Sequence, residues 1–285
     1  MNTPTIPEPH LRRIQAHFRF SKVPFRKNMS AREMFDSRSQ REILYGLLLW
    51  VVVHGIALIE GKSGVGKSIT LRRFLQELDE QRFRVVRLAN HVSTPMGFLR
   101  SLNRALGLPM RAHAADLFDA AQKHLVDKTE DQAPHPLLVL DDAEGMSVEV
   151  LDIVRRLTAW SLDAEDRFSV LICGTDQILR TLRQPTLEPL CSRFSYARTL
   201  QSFTMEDTRN YIIFHLQRAD SRPDLFSDDA VRRVFQASQG RPRSINQVAL
   251  QALVEAAVQG VDQITGDFVA TVIANHPLYR SQQGS

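Results

Sequence analysis

The chain has 285 residues, 43% of them hydrophobic and 24% charged, with a formal net charge of +4. Such a composition excludes a disordered, collagen-like or disulfide-stapled chain, because a core of ordinary size can be buried without cross-links. The two cysteines, Cys173 and Cys191, have no metal-ligand spacing and read as free thiols in a reducing, cytoplasmic compartment.

The N-terminus is polar and Pro-bearing, unlike a secretory signal. Up to Arg32 the only acid is Glu8, set against Arg12, Arg13, Arg19, Lys22, Arg26, Lys27 and Arg32. Residues 1–36 are therefore expected to be an irregular, basic arm, either solvated or touching nucleic acid. Residues 37–53 read as a helix with Ile43, Leu44, Leu47 and Leu48 on its apolar face. The apolar stretch 43–59 is interrupted by Gly46, His54 and Gly55 and is shorter than the roughly 20 residues a bilayer span needs, so no membrane partner is expected.

A short strand at 57–60 leads into G-K-S-G-V-G-K-S, Gly61 to Ser68, and a helix from 67 to 81 follows. Strand, Gly-rich loop and helix in that order form a phosphate-binding loop. Gly61, Gly64 and Gly66 are expected to let the backbone curl so that its N–H groups face a polyphosphate. Lys67 supplies a charge to the β- and γ-phosphates, Ser68 offers its hydroxyl to Mg²⁺, and the helix N-terminus adds its dipole. Gly61, Ser63, Gly64, Val65, Gly66, Lys67, Ser68 and Ile69 are the candidate ATP contacts.

Downstream the predicted elements alternate. A strand at 84–89 precedes a helix at 94–106, capped by Thr94, with Pro95 first and Gly107 ending it. A helix at 114–128 and a polar loop at 129–136 lead to a strand at 137–140, a helix at 148–162 and a strand at 168–173. Continuous apolar strands alternating with helices predict a doubly wound α/β core with a parallel sheet. The strand at 137–140 ends in Asp141-Asp142. Asp141 is assigned to the Mg²⁺ shell, and Asp142 to polarising the attacking water, with Glu144 as runner-up. At the end of the next strand Thr175, and after it Asp176, are candidates beside the phosphates, because ligands sit at the carboxyl ends of such strands. The alternative is a plain turn in which Asp176 caps the next helix. Arg193 is a candidate finger for a neighbour's site, or else a surface arginine. After about residue 201 only helices are expected, at 204–219, 227–239, 242–259 and 265–275. Arg243 opens the third of these, from where it could reach the γ-phosphate.

This ordered set resembles the AAA+ ATPases. Its parts are the phosphate loop, Leu-Val-Leu-Asp-Asp, a polar strand end, Ser-Arg-Phe around Arg193 and Gly-Arg-Pro-Arg before a helical lid. His17-Phe18-Arg19-Phe20, Val23-Pro24-Phe25, Leu44-Tyr45-Gly46-Leu47 and Arg241-Pro242-Arg243-Ser244-Ile245-Asn246 resemble the branch that holds the ExeA-, TniB-, TnsC- and IstB-like proteins. The resemblance implies a P-loop AAA+ core at 37–201, an all-helical lid at 202–276 and a loose tail at 277–285. It also implies that Arg193 is the arginine finger, Arg243 the sensor-2 arginine and Thr175 sensor 1, with ATP and Mg²⁺ as cofactors. The family usually carries Glu where this chain has Asp142. A carboxylate one methylene shorter predicts slow hydrolysis, and Asp142→Glu is then expected to raise turnover.

Two functions follow from the resemblance. One is a regulator of transposition that assembles as a homo-oligomeric ring or filament on double-stranded DNA and recruits a transposase, with a target-selection protein as a further candidate partner. Arg100, Arg104 and Arg111 are its candidate DNA contacts, and such binding is sequence-independent and salt-sensitive. The other is an ExeA-like secretion ATPase. Those proteins normally continue into a membrane helix and a peptidoglycan-binding part, so a chain ending at Ser285 is expected to favour transposition.

Overall fold

The computed structural model describes residues 8–26, 34–88, 93–127, 134–159 and 167–276, with side chains from Arg13 onward. The tail at 277–285, most of the polar loop at 129–136, and Lys27 and Arg32 of the expected arm lie outside the described residues. The chain divides into two compact units, one of Arg38–Ser63 and Lys67–Gln201, the other of Met1–Ser37, Gly64–Gly66 and Ser202–Ser285.

The first unit is α/β. Its strands are β1 (Ile56–Glu60), β2 (Phe83–Leu88), β3 (His135–Leu140), β4 (Ser169–Gly174) and β5 (Phe194–Thr199). They form one parallel sheet in the order β2-β3-β4-β1-β5. Every residue of β1, β3 and β4 is buried, as befits strands covered on both faces. The helices are α2 (Arg38–Val53), α3 (Lys67–Glu77), α4 (Pro95–Ala105), α5 (Ala114–Val126), α6 (Val148–Thr158), α7 (Asp176–Leu182) and α8 (Glu188–Cys191). Leu138, Leu140, Val170 and Ile172 pack with Phe98, Leu102, Leu117, Leu125, Leu151 and Leu157 in one core. Each such side chain stabilises the fold by roughly 1.5–3 kcal/mol through burial alone. Thr94 caps α4 by accepting from the Gly97 N–H.

Sequence reading missed β5. Its residues Phe-Ser-Tyr-Ala-Arg-Thr lie at the sheet edge and are half-buried or exposed, so no apolar run marks them. α2 rests on this strand, where the Trp50 indole N–H donates to Ser195 Oγ at 3.0 Å. Gly46 allows that approach, since a Cβ there would collide with the Tyr196 ring. From Ile43 on, α2 is apolar nearly all round, burying Ile43, Leu44, Leu47, Trp50 and Val51 while Tyr45, Leu49, Val52 and Val53 face solvent.

The second unit is helical. It contains α9 (Met205–Gln217), α10 (Asp228–Ser238), α11 (Pro242–Gln259) and α12 (Gly266–Asn275) around Ile212, Leu216, Val234, Ile245, Leu253 and Val272. The expectation of an irregular N-terminal arm is corrected: Glu8–Phe18 form α1. Ile14, Phe20 and Phe25 are buried in the core of this unit. The apolar residues that carry this packing are scattered through a run of positive charge, which disguised them as solvated chain.

Thr204 begins α9 with a reciprocal capping box. Its hydroxyl accepts from the Asp207 N–H at 3.0 Å, and the Asp207 carboxylate accepts from the Thr204 N–H at 3.1 Å. Thr204→Ala is expected to cost about 1 kcal/mol, read as a lower denaturation midpoint, while Thr204→Ser keeps the wild-type midpoint.

Candidate nucleotide site

The site starts where β1 ends. Gly61 continues the strand, its N–H donating to Gly174 O at 3.1 Å. The expectation for Gly61 is corrected accordingly: it is not among the positive-φ residues, and its N–H is engaged by the sheet. Gly64 and Gly66 do turn the loop, at φ 80° and 114°. Val65 is buried, Ser63 and Ser68 are exposed, and Ile69 is half-buried on the first turn of α3. Lys67 is only 7% exposed. Its Nζ donates to Gly61 O at 2.6 Å and Lys62 O at 3.4 Å, closing the loop on its own ammonium.

Asp141 follows β3, next to β4 in the sheet. Burial is the main reason its carboxyl titrates above the ordinary carboxylate value, with the Asp142 charge adding to it. Hydrogen bonds from the Asp142 N–H and the Ser68 hydroxyl, and the charge of Lys67, act in the opposite direction. Asp141, Ser68 and Lys67 therefore converge. Among the described residues no three His, Cys, Asp or Glu side chains cluster as a metal cage. One carboxylate and one hydroxyl are nevertheless a hard-oxygen set suited to Mg²⁺, which keeps several waters and takes its other ligands from phosphates.

Asp142 stands apart in conformation. It is exposed, left-handed at φ 53° and ψ 42°, and leads into a 3₁₀ turn at Ala143–Gly145. Glu144, on that turn, reaches the residue that follows β4: its Oε2 accepts from the Thr175 N–H at 3.1 Å. Thr175 itself is the N-cap residue of α7 but makes no side-chain cap bond. The alternative in which Asp176 caps the helix is thereby corrected, because Asp176 is already its first residue. Cys173 of β4 lies amid these groups. Its thiol is pushed up by burial first and then by the Asp141 charge, Lys67 opposes, and Asp142 and Glu144 add to the rise.

The other candidates sit on other elements. Arg193 is half-buried between α8 and β5, its N–H donating to Leu190 O at 3.1 Å. Arg243 is exposed in the first turn of α11, and its N–H donates to Gly64 O at 3.2 Å, within the helical unit. Arg100 and Arg104 are exposed on α4, and Arg111 is exposed before α5. Sequence reading gives Glu144 only as the runner-up to Asp142, and nothing in it points to the link from the Glu144 carboxylate to the Thr175 backbone.

Residues 53–182 match a family model described as an AAA domain. The chain is 27% identical over 253 residues to General secretion pathway protein A of Aeromonas hydrophila, covering 87% of this chain and 45% of that protein. It thus spans less than half the length of this curated relative. Among solved structures, the Aeropyrum pernix ORC2 protein matches with a TM-score of 0.61 at 18% identity, over 88% of this chain and 71% of that one. Cdc6p of Pyrobaculum aerophilum matches with a TM-score of 0.58 at 20% identity, over 88% and 68%. The Aeropyrum pernix ORC1 protein, solved in complex with DNA, matches with a TM-score of 0.61 at 16% identity, over 87% and 67%. At these identities the structural likeness concerns the fold. Among the described residues no helix is long and apolar enough to cross a membrane. The five-stranded parallel sheet, the phosphate loop and the match over 53–182 together give this chain an α/β P-loop core of the AAA fold.

Proposed function

We propose that the chain is an ATP- and Mg²⁺-binding AAA-type ATPase that serves a secretion assembly, in the manner its relative's name suggests. The observation that carries the nucleotide chemistry is the convergence of Lys67, Ser68 and Asp141. In this reading Lys67 and the N–H groups of the loop hold the β- and γ-phosphates. Ser68 and Asp141 hold Mg²⁺, which neutralises developing charge on the phosphates. Ser63, Val65 and Ile69 line the nucleotide through the loop and the helix start. Asp142 orients water, Thr175 faces the γ-phosphate, and Arg193 and Arg243 act as finger and sensor in a homo-oligomer.

The similarity to General secretion pathway protein A supports the secretion reading, and the comparisons lend the transposase partner no support. The second reading, a DNA-bound oligomer, rests on the exposed Arg100, Arg104 and Arg111. Calorimetry with ATP and Mg²⁺ tests the shared core: no heat of binding overturns it. Duplex-DNA binding at low salt then separates the readings. ATP-dependent binding lost when all three arginines become glutamate supports the second, and ATP-dependent assembly without DNA binding supports the first.

A further inference from the structure

One peptide unit in the cluster is held from both sides. The Gly174 carbonyl accepts from the Gly61 N–H at 3.1 Å, while the Thr175 N–H donates to Glu144 Oε2 at 3.1 Å. Gly61 O in turn accepts from Lys67 Nζ at 2.6 Å. Hydrogen bonds therefore run from the Gly61 N–H through the Gly174–Thr175 amide to the Glu144 carboxylate, and bonds linked through one amide polarise one another. The fit is close: a Cβ on Gly174 would lie 3.1 Å from two atoms of Ile178 and 3.3 Å from Glu144 Oε2.

The next group along is unsatisfied. Thr175 Oγ1 is buried and has no hydrogen-bond partner among the described residues. A buried polar atom left so is destabilising and calls for a partner. β4 lies between β1, which feeds the phosphate loop, and β3, which presents Asp141. A hydroxyl at the end of β4 is thus placed where phosphate oxygens would meet both. Asp142, by contrast, is exposed and its N–H is turned onto the Asp141 carboxylate.

We propose that Glu144 is a positioning residue that fixes the Gly174–Thr175 peptide and so presents the Thr175 hydroxyl to the γ-phosphate. The proposal rests on the ATP reading above. It assigns Glu144 no proton transfer: the role rests on the bond that its Oε2 accepts from the Thr175 N–H.

The test compares wild type, Glu144→Ala, Glu144→Gln, Thr175→Ala and the Glu144→Ala/Thr175→Ala double variant. Displacement of a fluorescent nucleotide gives the ratio of ADP to ATP dissociation constants, phosphate release gives kcat and KM, and thermal midpoints check folding. Glu144→Ala is expected to cut the preference for ATP over ADP about tenfold, the scale of one lost hydrogen bond to a charged group, with ADP affinity kept. Its kcat falls while its KM for ATP rises. Glu144→Gln retains an acceptor oxygen and stays within about threefold of wild type. The double variant loses no more than Thr175→Ala alone, since Glu144 acts through Thr175. A Glu144→Gln variant as impaired as Glu144→Ala would make the charge itself the agent and overturn the proposal. So would additive losses in the double variant, or an unchanged nucleotide preference. If wild type binds neither nucleotide, the ATP reading itself fails; if it binds both and only the variants behave wrongly, this proposal fails alone.

Discussion

Lys67→Ala is expected to lower ATP turnover by roughly 10²–10³-fold, the loss seen when one preorganised donor to transition-state charge is removed. The geometry makes alanine doubly harmful. The ammonium is nearly buried, so its charge acts with little screening by water. It also ties Gly61 O and Lys62 O together, and the truncated loop loses that internal clamp. Affinity for ATP should fall along with turnover, because the ammonium meets the phosphates in the bound state as well as in the transition state. Lys67→Arg keeps the charge but cannot place a compact ammonium between two carbonyls, so it should recover little. Phosphate release at saturating MgATP, with direct titration of ATP binding, measures both effects. Turnover within threefold of wild type in Lys67→Ala would remove the loop from the chemistry. The partner carboxylate adds a pH signature. Asp141 is held above the ordinary carboxylate range chiefly by burial, so a cation must displace a proton from it on the acid side. Apparent Mg²⁺ affinity should therefore weaken as pH falls toward that raised value, and Asp141→Asn should abolish the dependence together with tight Mg²⁺ binding.

Much of this arrangement was legible in the sequence because it depends on local rules. The loop needs Gly64 and Gly66 where φ is positive, and Lys67 must open a helix. The apolar run at 137–140 could only be a covered strand, and Asp141 follows its end. Thr94 and Thr204 announced their helices through capping chemistry. The failures came where a long-range partner decides the outcome. β5 is a strand because it pairs with β1 and lies under α2, with Trp50 reaching Ser195 across 145 residues of chain. α1 belongs to the helical unit because Ile14, with Phe20 and Phe25, enters a core whose remaining buried members follow residue 202. Gly61 looked like a third loop glycine, but its N–H is claimed by β4. The Glu144 contact joins residues 31 apart, and no periodicity in either segment points to the other.

Acidification is expected to destabilise the helical unit by about 3 kcal/mol between pH 6.5 and 4, through His215 on α9. The imidazole is 4% exposed and its Nδ1 accepts from the Phe25 N–H at 3.2 Å. Phe25, Tyr211 and Phe214 surround it with ring centroids at 4.8, 4.5 and 5.6 Å. Burial lowers its pKa from 6.5 to about 4, with the Arg218 charge assisting. The unfolded chain therefore takes up a proton near pH 6.5 while the folded one resists until about pH 4. Between those values the unfolded state binds more protons, so stability rises with pH. The contribution is fully present above pH 6.5, is reduced by about 2 kcal/mol at pH 5, and is spent below pH 4, at about 1.4 kcal/mol per pH unit. Urea denaturation at a series of pH values, set beside His215→Gln, isolates this term, because glutamine can accept the Phe25 N–H without titrating. The variant should lose the slope in that window. Its midpoint at pH 7.5 should lie at or below that of wild type, since the aromatic packing of the ring goes with the imidazole. An imidazole that titrates near 6.5 by NMR, or a wild-type slope no steeper than the variant's, would show that His215 is hydrated and charges freely in the folded protein.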